Sequence, residues 1–287
     1  MERHAGKYLV TVADDFGASA SVNAAIAEAF DNGIITAASL MAGGRAFDGA
    51  VRIARERRAL SVGLHVTLCD GMAALAHRDI PDIADANGAF EKNPARAWMK
   101  YRGSGVLKQA EREICAQFDR LEAAGIRPTH VDGHHHLHMH PAIFKMVCGQ
   151  AAKRGVSWIR LPNEPLSAVL SLRSSRRGLM PFVEWAVFGV LGAVNSRKAA
   201  GYGLRAAKRV YGLSRTGMVD EGYLMSVLDR GDAGIEVFAH PDTATASGRG
   251  ELSALTSPSV KKRLASLGVT LTGYRELCAA APNPERP

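Results

Sequence analysis

The chain alternates short apolar runs with longer amphipathic stretches. Runs of four to eight residues, rich in Val, Ile and Leu, predict seven strands, at 7–13, 34–41, 61–67, 129–132, 156–161, 235–239 and 269–272. Apolar positions that recur every three or four residues predict helices at 22–31, 46–57, 95–101, 107–124, 142–154, 222–229, 258–267 and from 274. Strand followed by helix at this spacing predicts parallel βαβ units, and 287 residues are enough for one α/β domain.

The alternation stops between residues 163 and 220. Residues 179–194 are apolar, but Pro181 and Glu184 interrupt them and the run is too short to span a bilayer. Nine of the residues from 166 to 217 are basic and one is acidic, so this segment carries the whole net charge of +8. The sequence therefore predicts a basic, apolar and helical insert at 163–220 in an otherwise regular fold.

The remaining composition is that of an ordinary globular protein, with 47% hydrophobic and 22% charged residues. The four cysteines are far apart and form no CxxC pair, which favours reduced thiols in a cytosolic compartment. Residues 1–6 are polar and the apolar run after them ends at two aspartates, so we expect no signal peptide. These features predict a cytoplasmic location.

Six of the ten histidines fall within the eleven residues from His130 to His140. Pro141 disfavours helical dihedrals at His140 and suits the first position of a helix, so the histidines are expected on a strand-to-helix loop. A surface tract that binds metal only adventitiously is the alternative. A purification tag would stand at a terminus, however, and this cluster lies in mid-chain.

Chemically reactive side chains follow four of the predicted strands: Asp14 and Asp15, His65, His134 to His140, and His240. The carboxyl ends of parallel barrel strands meet on one face, so these residues are expected to share a pocket. One carboxylate and two imidazoles would leave a divalent ion with open positions, as a catalytic Lewis acid requires. Taken singly, each has a plainer explanation, as a buried core histidine or as an aspartate in a turn.

Four segments, VADDFG, VGLHVTL, THVDGHHHLHMHP and EVFAHPD, resemble in order and spacing the signature blocks of the YdjC-like carbohydrate deacetylases. The resemblance covers nearly the whole chain. It implies a distorted TIM-like (β/α) barrel and a metal-dependent hydrolase that removes N-acetyl groups from sugars. Within that family the chain is most similar to the hopanoid-biosynthesis-associated deacetylases (HpnK), because of His140 and the basic insert.

The resemblance also implies roles for individual residues. The metal ligands of the family fall on Asp15, His65 and His134, and the ion could be Zn, Mg, Mn, Ni, Co or Fe. By similarity to related polysaccharide deacetylases, Asp14 would be the general base. The leaving nitrogen would be protonated by a histidine, either His240, which is indicated only by the proline that follows it, or His138.

Two further residues are expected to contact the substrate. Arg160 stands at the end of its predicted strand and could hold the sugar or a carboxylate, although a structural role is an equal alternative. His136 could contact the sugar or orient a metal ligand.

The expected substrate is an N-acetylated sugar carried by a lipid, such as N-acetylglucosaminyl hopanoid. The insert would then rest on anionic lipid at the inner face of the cytoplasmic membrane, with Trp185 and Phe188 among the apolar contacts. A solvated basic cap or a dimer interface would also explain the insert. Nucleic-acid binding is not expected, because the segment has no stacking platform and no known motif.

The sequence is also compatible with other functions. A soluble chitooligosaccharide deacetylase would keep the same chemistry on another substrate. A metallophosphoesterase or amidohydrolase could use the same ligand types, and a non-catalytic metal-binding or sugar-binding protein would tolerate Asp14→Asn.

Overall fold

In a computed structural model, which describes residues 7–170 and 180–280, one curled parallel sheet forms the centre of the molecule. Its seven strands are β1 (Tyr8–Phe16), β2 (Ala37–Leu40), β3 (Ser61–Val66), β4 (Val131–Gly133), β5 (Arg209–Tyr211), β6 (Ile235–Ala239) and β7 (Thr270–Leu271). The strand order is β4-β3-β2-β1-β6-β5, and β7 pairs with the start of β1. Buried positions run without interruption through β2, β3 and β6, as is typical of a parallel sheet covered on both faces.

Two isolated bridges bring the open edges of this sheet together. Val131 of β4 pairs with Ile159, and Trp158 pairs with Arg205, a few residues before β5. Backbone pairing therefore continues from β4 through these short bridges to β5. The result is a distorted TIM-like barrel, as the sequence predicted, in which one side is held by bridges instead of full strands.

Helices cover the sheet and follow most of its strands. They are α1 (Ala20–Asp31), α2 (Phe47–Glu56), α3 (Pro94–Lys100), α4 (Ser104–Ala123), α5 (Pro141–Lys153), α6 (Leu166–Leu170), α7 (Met180–Gly201), α8 (Glu221–Asp229), α9 (Ala246–Leu255), α10 (Pro258–Ser266) and α11 (Tyr274–Ala279). Shorter 3-10 turns occur at His77–Asp79, His134–Met139 and Leu213–Arg215. The helix starts have local causes: Ser19 accepts a hydrogen bond from the backbone of Val22, and Pro141 opens α5.

An irregularity near the end of β1 shapes the carboxyl face of the barrel. The register between β1 and β2 shifts between Ala13 and Phe16, and Asp15 has a positive φ of 62°. In a regular strand, consecutive side chains point to opposite faces. The shift breaks that alternation, so that Asp14 and Asp15 line the same pocket.

Most predicted elements are present, with three exceptions. The prediction of a strand at 156–161 is wrong, since only isolated bridges form there. The prediction missed β5, which has three residues, and α9, which contains two glycines that weaken helical propensity. The segment at 163–220, which the sequence predicts to be helical, contains a regular 22-residue helix, α7, that continues through the interrupted apolar run.

Some expectations fall on residues that the structure does not describe. They concern residues 1–6, used for the signal peptide, and the three arginines Arg173, Arg176 and Arg177 of the insert. In the described ranges, no helix is both long and apolar enough to cross a bilayer.

Candidate active site

Residues from the ends of several strands line one pocket of about 390 Å³ on the carboxyl face of the barrel. Its polar lining includes seven of the residues predicted to be reactive: Asp14, Asp15, His65, His134, His135, His136 and His240. Its apolar lining includes Phe188 from α7, Leu213 and Phe238. The four predicted strand ends therefore do converge, and the pocket offers apolar walls around a polar floor.

Three ligand atoms meet in this pocket. The Asp15 Oδ1 atom lies 2.9 Å from Nδ1 of His134 and 3.3 Å from Nε2 of His65. That oxygen is buried, and neither nitrogen is well aligned for a hydrogen bond to it, although both are close. The three atoms lie within 4.8 Å of one another. Two imidazole nitrogens and one carboxylate oxygen at this spacing form a ligand set that suits a divalent cation.

Two other groups in the described chain have metal-ligand spacing: Asp70, His134 and His135, and Asp14, His65 and Asp132. The first is largely exposed to solvent. In the second, both carboxylates are already paired with Arg160. The Asp15 group fits a cation best, because among the described residues only the two histidines pair with its carboxylate.

A buried carboxylate fixes the orientation of His65. Its Nδ1 lies 2.7 Å from Oδ1 of Asp132, which leaves Nε2 for Asp15 and the pocket. Burial alone would lower the pKa of His65, but the charge and hydrogen bond of Asp132 raise that pKa to about 10. The other Asp132 oxygen accepts from Ser39 at 2.7 Å. A carboxylate behind a histidine in this way sets the tautomer and strengthens a metal ligand.

Arg160 lies beneath the pocket and does not line it. Its side chain is fully buried and makes ion pairs with Asp14 (2.6 Å), Asp132 (2.9 Å) and Glu236. The pair with Asp14 is bidentate, with the second bond at 2.8 Å. The expected contact between Arg160 and the sugar is therefore wrong, because all of its charge is used by three buried carboxylates.

Asp14 and His240 lie next to each other in the pocket lining. Nε2 of His240 lies 3.8 Å from Oδ2 of Asp14, and the His240 side chain keeps 26% of its surface exposed. The backbone N–H of His240 donates to the carboxylate of Glu251, a buried residue of α9. This contact fixes the position at which the histidine leaves β6.

His138 is fully buried and is not part of the pocket lining. Its Nε2 lies 3.0 Å from the carbonyl oxygen of Arg160, and burial lowers its pKa to about 4. An imidazole in this position cannot reach a substrate, so the expectation of His138 as an alternative acid is wrong. Its contact with Arg160 indicates a structural role.

His136 lines the pocket between two aromatic rings. Its ring centroid lies 5.3 Å from Phe188 and 5.2 Å from Phe238, both in edge-on geometry. Burial and the positive charge of Arg160 hold its pKa well below the usual value, so the ring is neutral. A neutral imidazole can offer one hydrogen bond to a sugar hydroxyl or an amide.

The backbone around the pocket is strained. Among the described non-glycine residues, positive φ occurs only at Asp15 (62°), Asp70 (42°), His135 (50°) and His136 (54°). Each of these residues lines the pocket or belongs to one of its candidate metal-ligand groups. Such conformations cost about 1–3 kcal/mol each and persist where the surrounding structure fixes them.

The sequence analysis missed the residues that support the site. Asp132 lies inside the histidine motif but was not given a role. Glu236 could have been found from the sequence, because it is a charged residue inside the apolar run of β6. In the structure it pairs with Arg160 and Tyr274. The sequence pattern did not point to Glu251, because this residue lies in α9, a helix that the hydrophobic periodicity did not predict.

The apolar side of α7 packs partly against the barrel. Trp185 is half-buried and its Nε1 donates to the carbonyl oxygen of Glu164 at 3.0 Å, while Phe188 lines the pocket. Both rings pack partly against the protein and remain half-exposed, and their contact with lipid stays a prediction. The exposed side of α7 presents Phe182, Val183, Val187, Val190 and Val194, with exposed fractions of 39–66%.

Comparison with known proteins agrees with this geometry. The family model described as "YdjC-like protein" matches residues 8–266. A carbohydrate deacetylase of Geobacillus stearothermophilus is 35% identical over an alignment of 282 positions, which covers 94% of this chain and 98% of that protein. A carbohydrate deacetylase of Brevibacillus brevis is 40% identical over 139 residues, 48% of this chain and 53% of that protein.

The fold is also found in a solved structure. The crystal structure of a protein with a proposed role in cellobiose-phosphate cleavage, from Enterococcus faecalis V583, superposes with a TM-score of 0.74. The match covers 95% of this chain and 99% of that one at 20% sequence identity, and at this identity it shows a common fold.

Proposed function

The chain belongs to the YdjC-like protein family, and from this membership and the pocket geometry we propose that it is a metal-dependent carbohydrate N-deacetylase. The observation that carries the proposal is the cluster of Asp15, His65 and His134, with Asp14 and His240 beside it. Two imidazoles and one carboxylate would hold the cation and leave positions open. A divalent cation bound there would polarise the acetyl carbonyl and lower the pKa of water.

The other residues supply proton transfer and orientation. Asp14 accepts the proton of the attacking water, and its bidentate pair with Arg160 holds the carboxylate in one orientation while it does so. His240 donates a proton to the sugar nitrogen, because an amine cannot leave as an anion. Nε2 of His240 lies 3.8 Å from Oδ2 of Asp14, so base and acid are adjacent, and an acetamide bound beside them in the pocket is within reach of both.

The apolar walls suit the remainder of the substrate. Phe188, Phe238 and Leu213 can pack against the acetyl methyl group and one face of the sugar ring. His136, held neutral between the two phenylalanine rings, hydrogen-bonds the sugar. These contacts select an N-acetylglucosamine-type sugar from other polar solutes.

We also propose that this sugar is linked to a lipid such as a hopanoid. In this proposal residues 163–220 are an insert, and its helix α7 lies between the pocket and the membrane surface. On its inner side Phe188 lines the pocket, and on its outer side a row of valines at positions 183, 187, 190 and 194 is exposed. Arg197 and Lys198 follow the row, and basic residues beside an apolar helical face favour anionic lipid.

Acetate release tests the activity. Metal-reconstituted protein is given N-acetylglucosaminyl hopanoid in detergent, or diacetylchitobiose, with Asp14→Asn as the inactive control. Acetate from the lipid that is lost in the variant is the expected result. Acetate from chitobiose alone would refute the lipid-linked substrate, and acetate from neither would refute the deacetylase.

Vesicle flotation tests the membrane contact of a cytoplasmic protein with the inner leaflet. We expect the protein to float with vesicles that contain phosphatidylglycerol and to lose this property in Val187→Asp/Val190→Asp. Met99→Asp is a matched control, because Met99 is another exposed apolar residue, at 54%, on α3. Equal flotation by all three proteins, or by none, would refute the lipid contact.

A further inference from the structure

A second and larger cavity lies at the opposite end of the barrel from the metal cluster. It has a volume of about 750 Å³ and opens between α2 and the loops that precede β3 and β4. Its walls include Val62 of β3, three residues before His65, and Thr129, which precedes β4. Three residues of strand span roughly 10 Å, so the two cavities share strands but not side chains.

Four arginines line this cavity: Arg55, Arg58, Arg127 and Arg275. None of the described residues that line it is acidic. They come from three distant parts of the chain, so nothing in the sequence pattern joins them. This cluster is separate from the basic segment at 166–217.

All four side chains are exposed, and none forms an ion pair with a described acidic residue. Arg55 donates one hydrogen bond to the carbonyl oxygen of Ala124, at 2.8 Å. Arg58, Arg127 and Arg275 make no ion pair, side-chain hydrogen bond or aromatic contact with described residues. Like charges gathered without counter-charges repel one another, and an anion that binds among them relieves this repulsion.

The floor of the cavity is apolar. Leu60, Val62 and Ile126 form it, and the hydroxyl groups of Thr129 and Ser157 stand beside them. An inorganic ion alone would leave this floor uncovered. A cavity of this volume matches a ligand of nucleotide size, with a compact body on the apolar floor and its anionic group among the arginines.

We propose that this cavity is a binding site for a phosphate-bearing small molecule. Guanidinium groups pair with phosphate oxygens in bidentate geometry, so several arginines around one space favour phosphate over a neutral sugar. The site lies on the face of the barrel that does not carry catalysis. The proposal does not depend on the deacetylase assignment.

Isothermal titration calorimetry at constant ionic strength tests the site, with inorganic phosphate, ADP and adenosine as probes. We expect saturable binding of phosphate and tighter binding of ADP, whose body covers the apolar floor. Adenosine, which lacks the anionic group, should not bind. Absence of saturable binding by both phosphate and ADP, or equal binding of adenosine and ADP, would overturn the proposal.

Substitutions of single arginines test whether ADP binds in this cavity. Arg58→Gln and Arg127→Gln should each weaken ADP binding at least tenfold, and neither should change the melting temperature, since these side chains have no described partner. Arg52→Gln is the matched control, because Arg52 is an exposed arginine of α2 that does not line the cavity. An equal loss in Arg52→Gln would show general charge attraction and overturn the proposal.

The metal cluster could also attract phosphate, so the titration is run on protein with and without its divalent cation. Binding in the arginine cavity should persist after the cation is removed, because Asp15, His65 and His134 do not line it. Binding that disappears with the cation would place the phosphate in the other pocket and overturn the proposal.

Discussion

The Nδ1 atom of His65 lies 2.7 Å from Oδ1 of Asp132, and both side chains are buried. This contact determines which nitrogen of His65 is available to the pocket. Since the same carboxylate also pairs with Arg160, the orientation of His65, the proposed metal ligand, and the position of Asp14, the proposed general base, depend on one buried network.

Replacing Asp132 should weaken metal binding. Asp132→Asn removes the charge behind His65, so we expect the affinity for Zn²⁺ to fall about 10- to 100-fold in a chelator competition assay. Ser39→Ala is the matched control, because it removes the hydrogen bond to the other oxygen and leaves the contact with His65 intact. Unchanged affinity in Asp132→Asn would contradict the role of this carboxylate.

Replacing Asp14 should affect catalysis and not metal content. Asp14→Asn preserves size but cannot accept the proton, and we expect kcat to fall about 10²- to 10⁴-fold. Metal content, measured by atomic emission, should remain that of the unaltered protein, because Asp14 is not in the cluster of Asp15, His65 and His134. A proportional loss of metal would instead make Asp14 a ligand.

Replacing Arg160 should destabilise the fold. Arg160→Met leaves three buried carboxylates without their cation, and we expect the free energy of unfolding in urea to fall by about 3–5 kcal/mol. Arg263→Met breaks an exposed ion pair with Asp229, which should cost about 0–1 kcal/mol. Similar values for the two variants would show that the buried network contributes little.

Gly63 should not tolerate a side chain. A Cβ atom at this position would lie 2.5 Å from two atoms of the His130 ring, which is held by Ser39 and Thr129. We expect Gly63→Ala to lower the free energy of unfolding by about 1–3 kcal/mol. Gly105→Ala, in α4 with no atom near the added methyl group, should instead be neutral or stabilising.

His130 should make the fold sensitive to acid. Burial lowers its pKa to about 3, against an unperturbed value of 6.5, so the ring is neutral in the native state and becomes charged first in the unfolded state. Its contribution to stability is complete above pH 6.5 and is lost as the pH falls from there towards 3. Between pH 7 and pH 5 this loss is about 2 kcal/mol.

The variant His130→Gln isolates this contribution. Its free energy of unfolding in urea should change less between pH 7 and pH 5 than that of the unaltered protein, by about 2 kcal/mol. The other histidines contribute equally to both proteins and cancel in the comparison. The same pH dependence in both proteins would show that His130 does not titrate on unfolding.

The sequence by itself determined the elements with strong local signals. Apolar periodicity and the residues that begin and end helices gave most of the barrel, and reactive residues after four strands indicated one pocket. These features could be predicted because parallel strands place their carboxyl ends on one face, whatever the details of packing. The sequence also marked Glu236 by its position in an apolar run, although its partner could not be known.

Only the tertiary structure decided which of these residues act together. It placed Arg160 and His138 beneath the pocket, turned Trp185 and Phe188 towards the barrel, and formed the arginine cavity at the other end. Each of these outcomes depends on contacts between residues far apart in the chain, such as Asp14 and Arg160, which are separated by 146 positions. Hydrophobic periodicity indicates which face of a helix or strand is buried. The partner of a buried charge is determined by packing between elements, which no local pattern encodes.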